Sequence, residues 1–453
     1  MNQNKKVLQF VLLATSSLLA LSLFVFINKI NNPQLQNISI ISDIIRQDTV
    51  AVVKYIDIPK QTIVKDTSIT IDNVTCRLKH FTTANRLTNF STDTNSIVID
   101  AFIKKMVALR KTKKGKIRIA YLGDSMIEGD LISQTLRKLL QATFSGSGVG
   151  FVPVTSAVAG FRTNVKHMFS TKWHESNFKN KISTSPLYLS GKAFFSNGYN
   201  WFDADDKTYT NKEMPLKKYL LCGYKPSSGK IAINSIFNTI NPTNIFNTIL
   251  LDSSFKSNIK IEVSDATLPL YGVSFETNDG VIVDNFSFRG SGGFEFNNLD
   301  TSFLKQVAAS QPYDLVIMQY GVNVLNKPNN SSFDWYYRTM LSSINKLKHC
   351  FANTDFLLIS AADKSFKYAN GIHTAIGMDS LIATQERIAF EAKMAFFNTY
   401  HTMGGYNSMV TWANGNPQLA AKDFTHLNAK GAAILGTSIY NSIMYEVGKL
   451  EKR

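Results

Sequence analysis

From Lys116 onward, short apolar runs alternate with segments of helical periodicity. The runs read IRIAYLG, GVIVDNFSFRG, YDLVIMQYG, DFLLISAAD and MAFFNTY. Continuous apolar runs of this length are typical of strands that are buried on both faces. Strands that alternate with helices form a parallel sheet with helices on both of its faces. The sequence therefore predicts an α/β fold.

A stretch of different character interrupts this alternation between Ser145 and about Thr277. It is rich in Ser, Thr, Asn, Gly and aromatic residues, and it contains short alternating runs such as KYLLCGY, KIAINSI and NIKIEVS. Alternation without helical periodicity indicates half-buried strands. We therefore predict a β-sandwich over residues 146–277, inserted into one α/β domain that consists of residues 96–145 and 278–453.

Residues 7–28 form an uncharged apolar run near the start of the chain. About 22 residues, at a rise of about 1.5 Å each, make a helix of roughly 33 Å, which is long enough to cross a bilayer core. Two lysines precede the run, so the positive-inside rule places the short tail in the cytoplasm and the remaining chain outside. We predict that residues 1–30 are an uncleaved transmembrane anchor, with a cleaved signal peptide as the alternative. Residues 31–95 are predicted to be a stalk.

Composition narrows the partners and the redox chemistry. The chain has 49 basic and 33 acidic side chains, a formal net charge of +16. This excess suits nucleic acid, a negatively charged membrane surface or an anionic polymer. Export makes nucleic acid the least favoured of the three, and we expect none. Cys76, Cys222 and Cys350 are widely separated and odd in number, which indicates neither a disulfide framework nor a thiolate metal site.

A Gly-Asp-Ser tripeptide follows the first predicted strand. Gly123, Asp124 and Ser125 end that strand, and a helix is predicted to begin at Asp130. Ser125 then lies at the carboxyl edge of the sheet, where open α/β sheets bind ligands. A serine there exposes its hydroxyl and offers its backbone N–H to a developing oxyanion, as acyl transfer requires. By itself the tripeptide is equally consistent with a helix cap.

Two further motifs lie far along the chain. Gly321 and Asn323 follow the strand in YDLVIMQYGVN, and the asparagine amide is an uncharged donor that suits an oxyanion, although Asn323 alone also suits a turn. His426 comes three residues after Asp423, directly before a predicted helix over 429–447. Its Nδ1 can face that carboxylate while Nε2 faces the site. The proton then lies on Nδ1, and Nε2 can accept one, as a general base requires.

These motifs together resemble the SGNH (GDSL-type) hydrolase family. Gly-Asp-Ser at 123–125, Gly-x-Asn at 321–323 and Asp-x-x-His at 423–426 are similar to blocks I, III and V of that family, and they occur in the family order. Block II is a glycine whose N–H joins the oxyanion hole, and it is matched by Gly290. The resemblance implies a flavodoxin-like fold of three layers.

The same resemblance implies a role for each matched residue. Ser125, Asp423 and His426 would be the catalytic residues. The N–H groups of Ser125 and Gly290, with the amide of Asn323, would form the oxyanion hole. No metal or cofactor is implied, and no set of metal ligands stands out in the sequence.

A closer similarity is to the bacterial peptidoglycan O-acetylesterases. In that group a β-sandwich resembling a carbohydrate-binding module interrupts the hydrolase domain between blocks I and II. The flanking segments GSGVGFVP and LYGVSFETNDGVIVDN, and later MGGYNSM and Trp412, look like those of the group. Met126 and Val324 depart from it, since histidine and an acidic residue are usual there. The similarity covers about residues 117–450.

The resemblance implies an exported serine esterase that removes O-acetyl groups from a cell-envelope glycan such as peptidoglycan. It would be a single-pass protein of the bacterial inner membrane, with its catalytic domain periplasmic or extracellular and an acetylated polysaccharide as its substrate. Two alternatives remain open at this point. One is a glycan O-acetyltransferase that uses the same triad. The other is a glycan-binding protein without catalysis, in which aromatic residues of the insertion stack on sugars; the candidates are Trp173, Tyr199, Trp201, Phe202 and Tyr209.

Overall fold

The computed structural model describes residues 70–71, 74–75, 85–90, 97–210 and 213–452 of the 453-residue chain. The predicted anchor and most of the predicted stalk lie outside these residues. Within the described part, no helix combines the length and apolarity needed to cross a membrane. One compact unit runs over residues 65–366 and 372–453 and contains the site described below; of a second unit, only Lys367–Gly371 is described.

Six strands form the central sheet, and we label them β1 to β6 in chain order. They are Leu87–Thr88, Lys116–Gly123, Gly280–Ser287, Leu315–Gln319, Asp355–Ile359 and Ala395–Phe397. Their spatial order is β3-β2-β4-β5-β6-β1, with β1 antiparallel at the edge and the other five parallel. The mixed α/β fold that the alternation predicts is confirmed. The parallel strands follow the flavodoxin-like order 2-1-3-4-5, whose switch point lies between β2 and β4.

The described residues contain eight α-helices, which we label α1 to α8. They are Asp100–Thr112, Leu131–Phe144, Thr301–Ser310, Asp334–Cys350, Met378–Glu391, Thr399–Met403, Ser408–Asn414 and Ala429–Glu451. Helices α1, α2 and α8 pack together, and α4 packs on both α3 and α5. Buried side chains recur every four residues along α2, at Ile132, Leu136, Leu140 and Phe144. This spacing gives α2 one apolar face, which covers the sheet at β3.

Helix boundaries differ from the sequence prediction near the first motif. A short 3-10 turn, Glu128–Asp130, precedes α2, so the helix begins at Leu131 and not at Asp130. Asp130 has a φ of 67°, in the left-handed region, and cannot belong to the helix. Ser125 therefore lies on a loop that is separated from the helix by one extra turn.

Between Gly150 and Glu276 the described strands form two antiparallel sheets. The first contains Gly150–Pro153, Trp173–Asn177, Lys192–Ser196, Leu216–Gly223, Phe246–Ser254 and Leu270–Glu276. The second contains Val165–Phe169, Asn200–Asp206, Gly229–Ile233, Ile236–Ile240 and Asn258–Val263. Side chains from both sheets make one apolar core, distinct from that of the α/β part. Alternating apolar residues produce this arrangement because every second side chain faces that core.

The remaining described elements are short. They are the strands Thr70–Ile71, Val74–Thr75, Ser365–Tyr368 and Gly371–Thr374, and the 3-10 turns Ala159–Phe161 and Phe294–Asn298.

The aromatic residues proposed to stack on sugars have different surroundings. Phe202 and Tyr209 belong to the core of the insertion, and Trp173 packs against it. Trp201 is half-buried, and the ammonium of Lys260 lies 5.5 Å from its ring centroid. Tyr199 is 58% exposed, and its hydroxyl donates to Glu262. Core packing therefore accounts for Phe202 and Tyr209, the two most buried of the five candidates.

A cluster of aromatic rings joins the insertion to the α/β part, with Tyr188 stacked on two rings and in edge-to-face contact with Phe286. The Tyr188 ring lies 5.3 Å from the ring centroids of Phe246, Tyr271 and Phe286. Phe286 belongs to β3, next to the strand that leads to Ser125. All four rings are buried, so they hold the insertion firmly against the carboxyl end of β3.

Candidate active site

Ser125 lies on the loop that leaves the carboxyl end of β2. Gly123 ends this strand in a crowded position, where a Cβ atom would come within 2.8 Å of the Ile127 side chain and 3.1 Å of the Gln319 carbonyl. Any larger residue would require the Ile127 side chain to move and the Gln319 carbonyl of β4 to shift, so glycine fits this position without rearrangement. After the strand, the Glu128 N–H donates to the Ser125 carbonyl at 3.3 Å. Ser125 is half-buried.

Three side chains form a continuous series of hydrogen bonds. Ser125 Oγ lies 2.9 Å from His426 Nε2, and His426 Nδ1 lies 2.7 Å from Asp423 Oδ2. The other carboxylate oxygen of Asp423 accepts the backbone N–H groups of Thr425 and His426, each at 3.0 Å. The carboxylate is thus held by its own loop and orients the ring toward the serine.

The loop that carries His426 is anchored at both of its ends. The N–H of Ala421 donates to the His426 carbonyl at 2.7 Å. Two residues after the histidine, Asn428 caps α8 by accepting the N–H groups of Lys430 and Gly431. An asparagine cap satisfies helix N–H groups that have no partner within the helix. His426 therefore has a defined position at the start of the last helix.

The charge state of Asp423 decides which histidine nitrogen carries a proton. Partial burial raises the pKa of Asp423. Hydrogen bonds from the His426 ring and from backbone N–H groups lower this pKa by a larger amount, so it lies below its ordinary value. The carboxylate is then ionised near neutral pH and can only accept hydrogen bonds. It holds the proton on Nδ1 and leaves Nε2 free to accept the Ser125 hydroxyl hydrogen.

Asn323 follows β4 and connects the serine loop to a third segment. Its Nδ2 donates to Asp124 Oδ2 at 3.0 Å and to the Ser291 carbonyl at 2.9 Å. The second oxygen of Asp124 accepts the Met126 N–H at 2.9 Å. Both hydrogens of the Asn323 amide are therefore donated, one to Asp124 and one to the Ser291 carbonyl. An oxyanion near Ser125 would share one of these two hydrogens.

Gly290 lies on that third segment, which follows β3. The Phe288 N–H donates to the Gly123 carbonyl at 3.0 Å, and Ser291 accepts the amide of Asn323. Gly290 is exposed between these two attachments and has a φ of 77°. A side chain would be strained there, and its Cβ would come within 2.7 Å of the Lys179 ammonium. The structure thus brings the loops of Ser125, Gly290 and Asn323 to one edge of the sheet.

Asp124 belongs to the first motif, but the sequence alone predicts no role for it. It is 1% exposed, and this burial raises its pKa to about 7, although the Met126 N–H, the charges of His426 and Lys364, and the Asn323 amide lower it. In its ionised form this carboxylate positions the Asn323 amide. The sequence signal for this role is an acidic residue directly before the serine, at the end of a predicted buried strand.

Replacing Asp124 with asparagine is expected to change how stability depends on pH. The folded-state pKa of about 7 lies above the ordinary value of 3.8, so the folded protein binds more protons between these values. Stability therefore falls as pH rises from about 4 to about 7, and the asparagine variant lacks this contribution. We expect the melting temperature of the unmodified protein, relative to Asp124→Asn, to fall over this range and to level off above it. If the melting temperatures of the two proteins differ by the same amount at every pH from 4 to 8, this assignment is refuted. The control is Asp100→Asn, since the Asp100 side chain is 36% exposed.

Among the residues that the structure describes, no three His, Cys, Asp or Glu side chains form a group that could hold a metal ion. The chemical groups that meet at the sheet edge are a hydroxyl, an imidazole, carboxylates and amides. A hydroxyl that is hydrogen-bonded to an imidazole, itself bonded to a carboxylate, is an arrangement suited to nucleophilic attack on an ester.

Comparison with solved structures gives the same fold. No protein-family model and no curated protein sequence matches the chain. A structure described as a peptidoglycan O-acetylesterase in action matches with a TM-score of 0.65 and 19% identity, covering 81% of this chain and 99% of that chain. A family-two carbohydrate esterase from Clostridium thermocellum matches with a TM-score of 0.28 and 7% identity, covering 62% of this chain and 98% of that chain. The first of these matches confirms the mixed α/β fold that the sequence predicts.

Proposed function

We propose that this chain is a serine esterase that removes O-acetyl groups from a cell-envelope glycan such as peptidoglycan. The observation that carries the proposal is the continuous series from Ser125 Oγ through His426 to Asp423, with distances of 2.9 and 2.7 Å. The fold shared with a peptidoglycan O-acetylesterase supports an acetylated glycan as the substrate.

In the proposed mechanism, Ser125 Oγ attacks the carbonyl carbon of the ester while His426 Nε2 takes the hydroxyl proton. The N–H groups of Ser125 and Gly290 and the amide of Asn323 stabilise the resulting oxyanion. His426 then gives its proton to the leaving sugar oxygen, and an acetyl ester remains on Ser125. Water attacks this ester, with His426 accepting a proton from it, and acetate leaves as Ser125 regains its hydrogen.

The proposal includes the arrangement of the whole chain. Residues 1–30 would anchor it in the bacterial inner membrane, and residues 31–95 would form a stalk. The catalytic domain, residues 96–145 and 278–453, would face the periplasm or the exterior as a three-layer SGNH domain. Residues 146–277 would be a carbohydrate-binding module. The net charge of +16 suits an anionic glycan or a membrane surface.

Replacing Asn323 with alanine is expected to lower kcat for p-nitrophenyl acetate by roughly 10²- to 10³-fold, because one oxyanion donor is lost. KM should change little, since the oxyanion exists only in the transition state. Steady-state kinetics measure both values. Asn326→Ala is the control, because Asn326 is exposed on the same loop. If KM alone rises and kcat is kept, Asn323 binds the ground state and the oxyanion role is wrong.

The test of the function measures acetate released by the full-length protein from O-acetylated peptidoglycan and from p-nitrophenyl acetate. We expect release from both substrates. A parallel assay supplies p-nitrophenyl acetate with a sugar acceptor and measures the acetylated sugar. If acetylated sugar forms in preference to free acetate, the chain is a transferase and hydrolysis is not its function. If neither substrate loses acetate and no sugar is acetylated, the catalytic proposal fails.

A further inference from the structure

A cavity of about 180 Å³ lies beside the serine loop. One wall is Glu128–Asp130, the turn that follows Ser125, and a second wall is residues 287–289, directly before Gly290. Asn285 of β3 also lines the space, and the insertion supplies the other residues, including Phe151 and residues 155–158. We call this space the side cavity. Its first two walls come from the segments that carry the serine and the glycine of the proposed oxyanion hole.

The charges that line the side cavity are balanced in pairs. Arg162 contacts Asp130 at 3.2 Å, Lys192 contacts Glu175 at 2.9 Å, and Arg289 contacts Glu128 at 2.6 Å. All six side chains line the cavity. Three cations and three anions leave the lining without net charge, but they offer both donors and acceptors of hydrogen bonds. Such a lining favours an uncharged ligand rich in hydroxyl or amide groups.

One polar group in the lining has no protein partner. Ser190 is 4% exposed, and its hydroxyl makes no hydrogen bond within the described part of the protein although it lines the side cavity. A buried hydroxyl without a partner costs free energy, and a water or a ligand in the side cavity would supply that partner.

Apolar rings complete the lining. Phe151 and Phe288 are 2% and 9% exposed and border the side cavity. Apolar contacts beside hydrogen-bonding groups match the two kinds of surface on a pyranose, its C–H faces and its polar rim. About 180 Å³ is below the roughly 300–1,000 Å³ of drug-sized sites, so the space suits one ring and not a chain of rings.

We propose that the side cavity binds one uncharged pyranose ring of the glycan, next to the acetylated ring at Ser125. As a substrate subsite, this assignment rests on the proposed function. It places the insertion in the active site itself, because Arg162, Ser190 and Lys192 of the insertion contact the neighbouring ring. The hydroxyl of Ser190 then gains the partner that it lacks.

The test uses variants that fill or alter the side cavity. Ala157 is exposed at its mouth, so Ala157→Trp can obstruct the space without disturbing the core. Ala309→Trp is the matched control, because Ala309 is an exposed alanine of α3 away from the cavity. Ser190→Ala removes only the unpartnered hydroxyl and is expected to leave the melting temperature unchanged or slightly raised.

Binding is measured on the Ser125→Ala background with the trimer of N-acetylglucosamine, which is uncharged. We expect Ala157→Trp to weaken binding at least tenfold, Ser190→Ala to weaken it roughly 3- to 10-fold, and Ala309→Trp to leave it unchanged. With Ser125 present, the ratio of kcat/KM for O-acetylated peptidoglycan to that for p-nitrophenyl acetate should fall in the first two variants. If the trimer does not bind, or binds equally well to Ala157→Trp, the assignment is overturned.

The two proposals can fail separately. Hydrolysis of p-nitrophenyl acetate that depends on Ser125, together with trimer binding that ignores Ala157→Trp, keeps the esterase and overturns the sugar cavity. Trimer binding that is lost in Ala157→Trp, in a protein that releases acetate from neither p-nitrophenyl acetate nor O-acetylated peptidoglycan, keeps the sugar cavity and overturns the esterase.

Discussion

Ser125→Ala is expected to lower kcat for p-nitrophenyl acetate by roughly 10³- to 10⁶-fold. The hydroxyl lies 2.9 Å from His426 Nε2, and no other group occupies that position in the hydrogen-bond series with Asp423. Without it the imidazole has no nucleophile to activate, so an acetyl-enzyme cannot form. The remaining oxyanion donors can retain a small rate above that of water.

The fold should survive this substitution, because Ser125 is half-buried on a loop and alanine removes one oxygen. The free energy of unfolding is expected to change by less than about 1 kcal/mol. Ser310→Ala, at an exposed position of α3, serves as the control and should keep full activity. A Ser125→Ala protein that retains more than a tenth of the unmodified rate would show that ester cleavage uses another nucleophile.

Asp130→Ala is expected to lower the free energy of unfolding by about 3–5 kcal/mol. Asp130 is 1% exposed and contacts Arg137 at 2.5 Å and Arg162 at 3.2 Å. It also accepts hydrogen bonds from Ser133 and Asn164. Alanine leaves two largely buried guanidinium groups without their common counter-ion, and an uncompensated buried charge is costly.

Acid should diminish the difference between Asp130→Ala and the unmodified protein. Burial raises the pKa of Asp130, but the charges of Arg137 and Arg162 lower it by a larger amount, so that the pKa is about 2. Because this value lies below the ordinary 3.8, the stabilisation is present above about pH 4 and is lost as pH falls toward 2. Urea denaturation at pH 7 and at pH 3 measures both effects.

The control for Asp130 is a carboxylate that pairs with a basic side chain at the protein surface. Asp100 pairs with Lys104 at 2.6 Å, and these side chains are 36% and 65% exposed. Asp100→Ala should cost no more than about 1 kcal/mol, because water screens this pair. If Asp130→Ala costs as little as Asp100→Ala at pH 7, the buried cluster around Asp130 does not stabilise the fold.

Sequence patterns predicted the regular elements better than they predicted their ends. The apolar runs that contain β2 to β6 are all strands, since a segment that is apolar on both faces has to be covered on both. The predicted helix start at Asp130 was wrong, because the helix begins at Leu131. The chain before it forms a 3-10 turn, which hydrophobic periodicity does not predict.

Of the site, the sequence could predict those parts that depend on short spacing. Asp423 and His426 are three residues apart, so their contact follows from one turn of chain. Ser125 and His426 are 301 positions apart, and Asn323 and Asp124 are 199 apart. The resemblance to a family predicted that the first pair would act together, but neither spacing nor composition predicts that Asp124 positions Asn323.

The sequence by itself determined that the chain forms an α/β sheet with a β-rich stretch between its first strands, because apolar periodicity requires specific faces to be buried. It also determined which residue types stand at the strand ends. Only the tertiary structure decided how those ends meet. The strand order of the sheet places β2 between β3 and β4. The aromatic contacts of Tyr188 hold the insertion beside these strands. The side cavity, the unpartnered hydroxyl of Ser190 and the buried cluster around Asp130 result from that docking, since their groups are distant in sequence and come together only when both cores are packed.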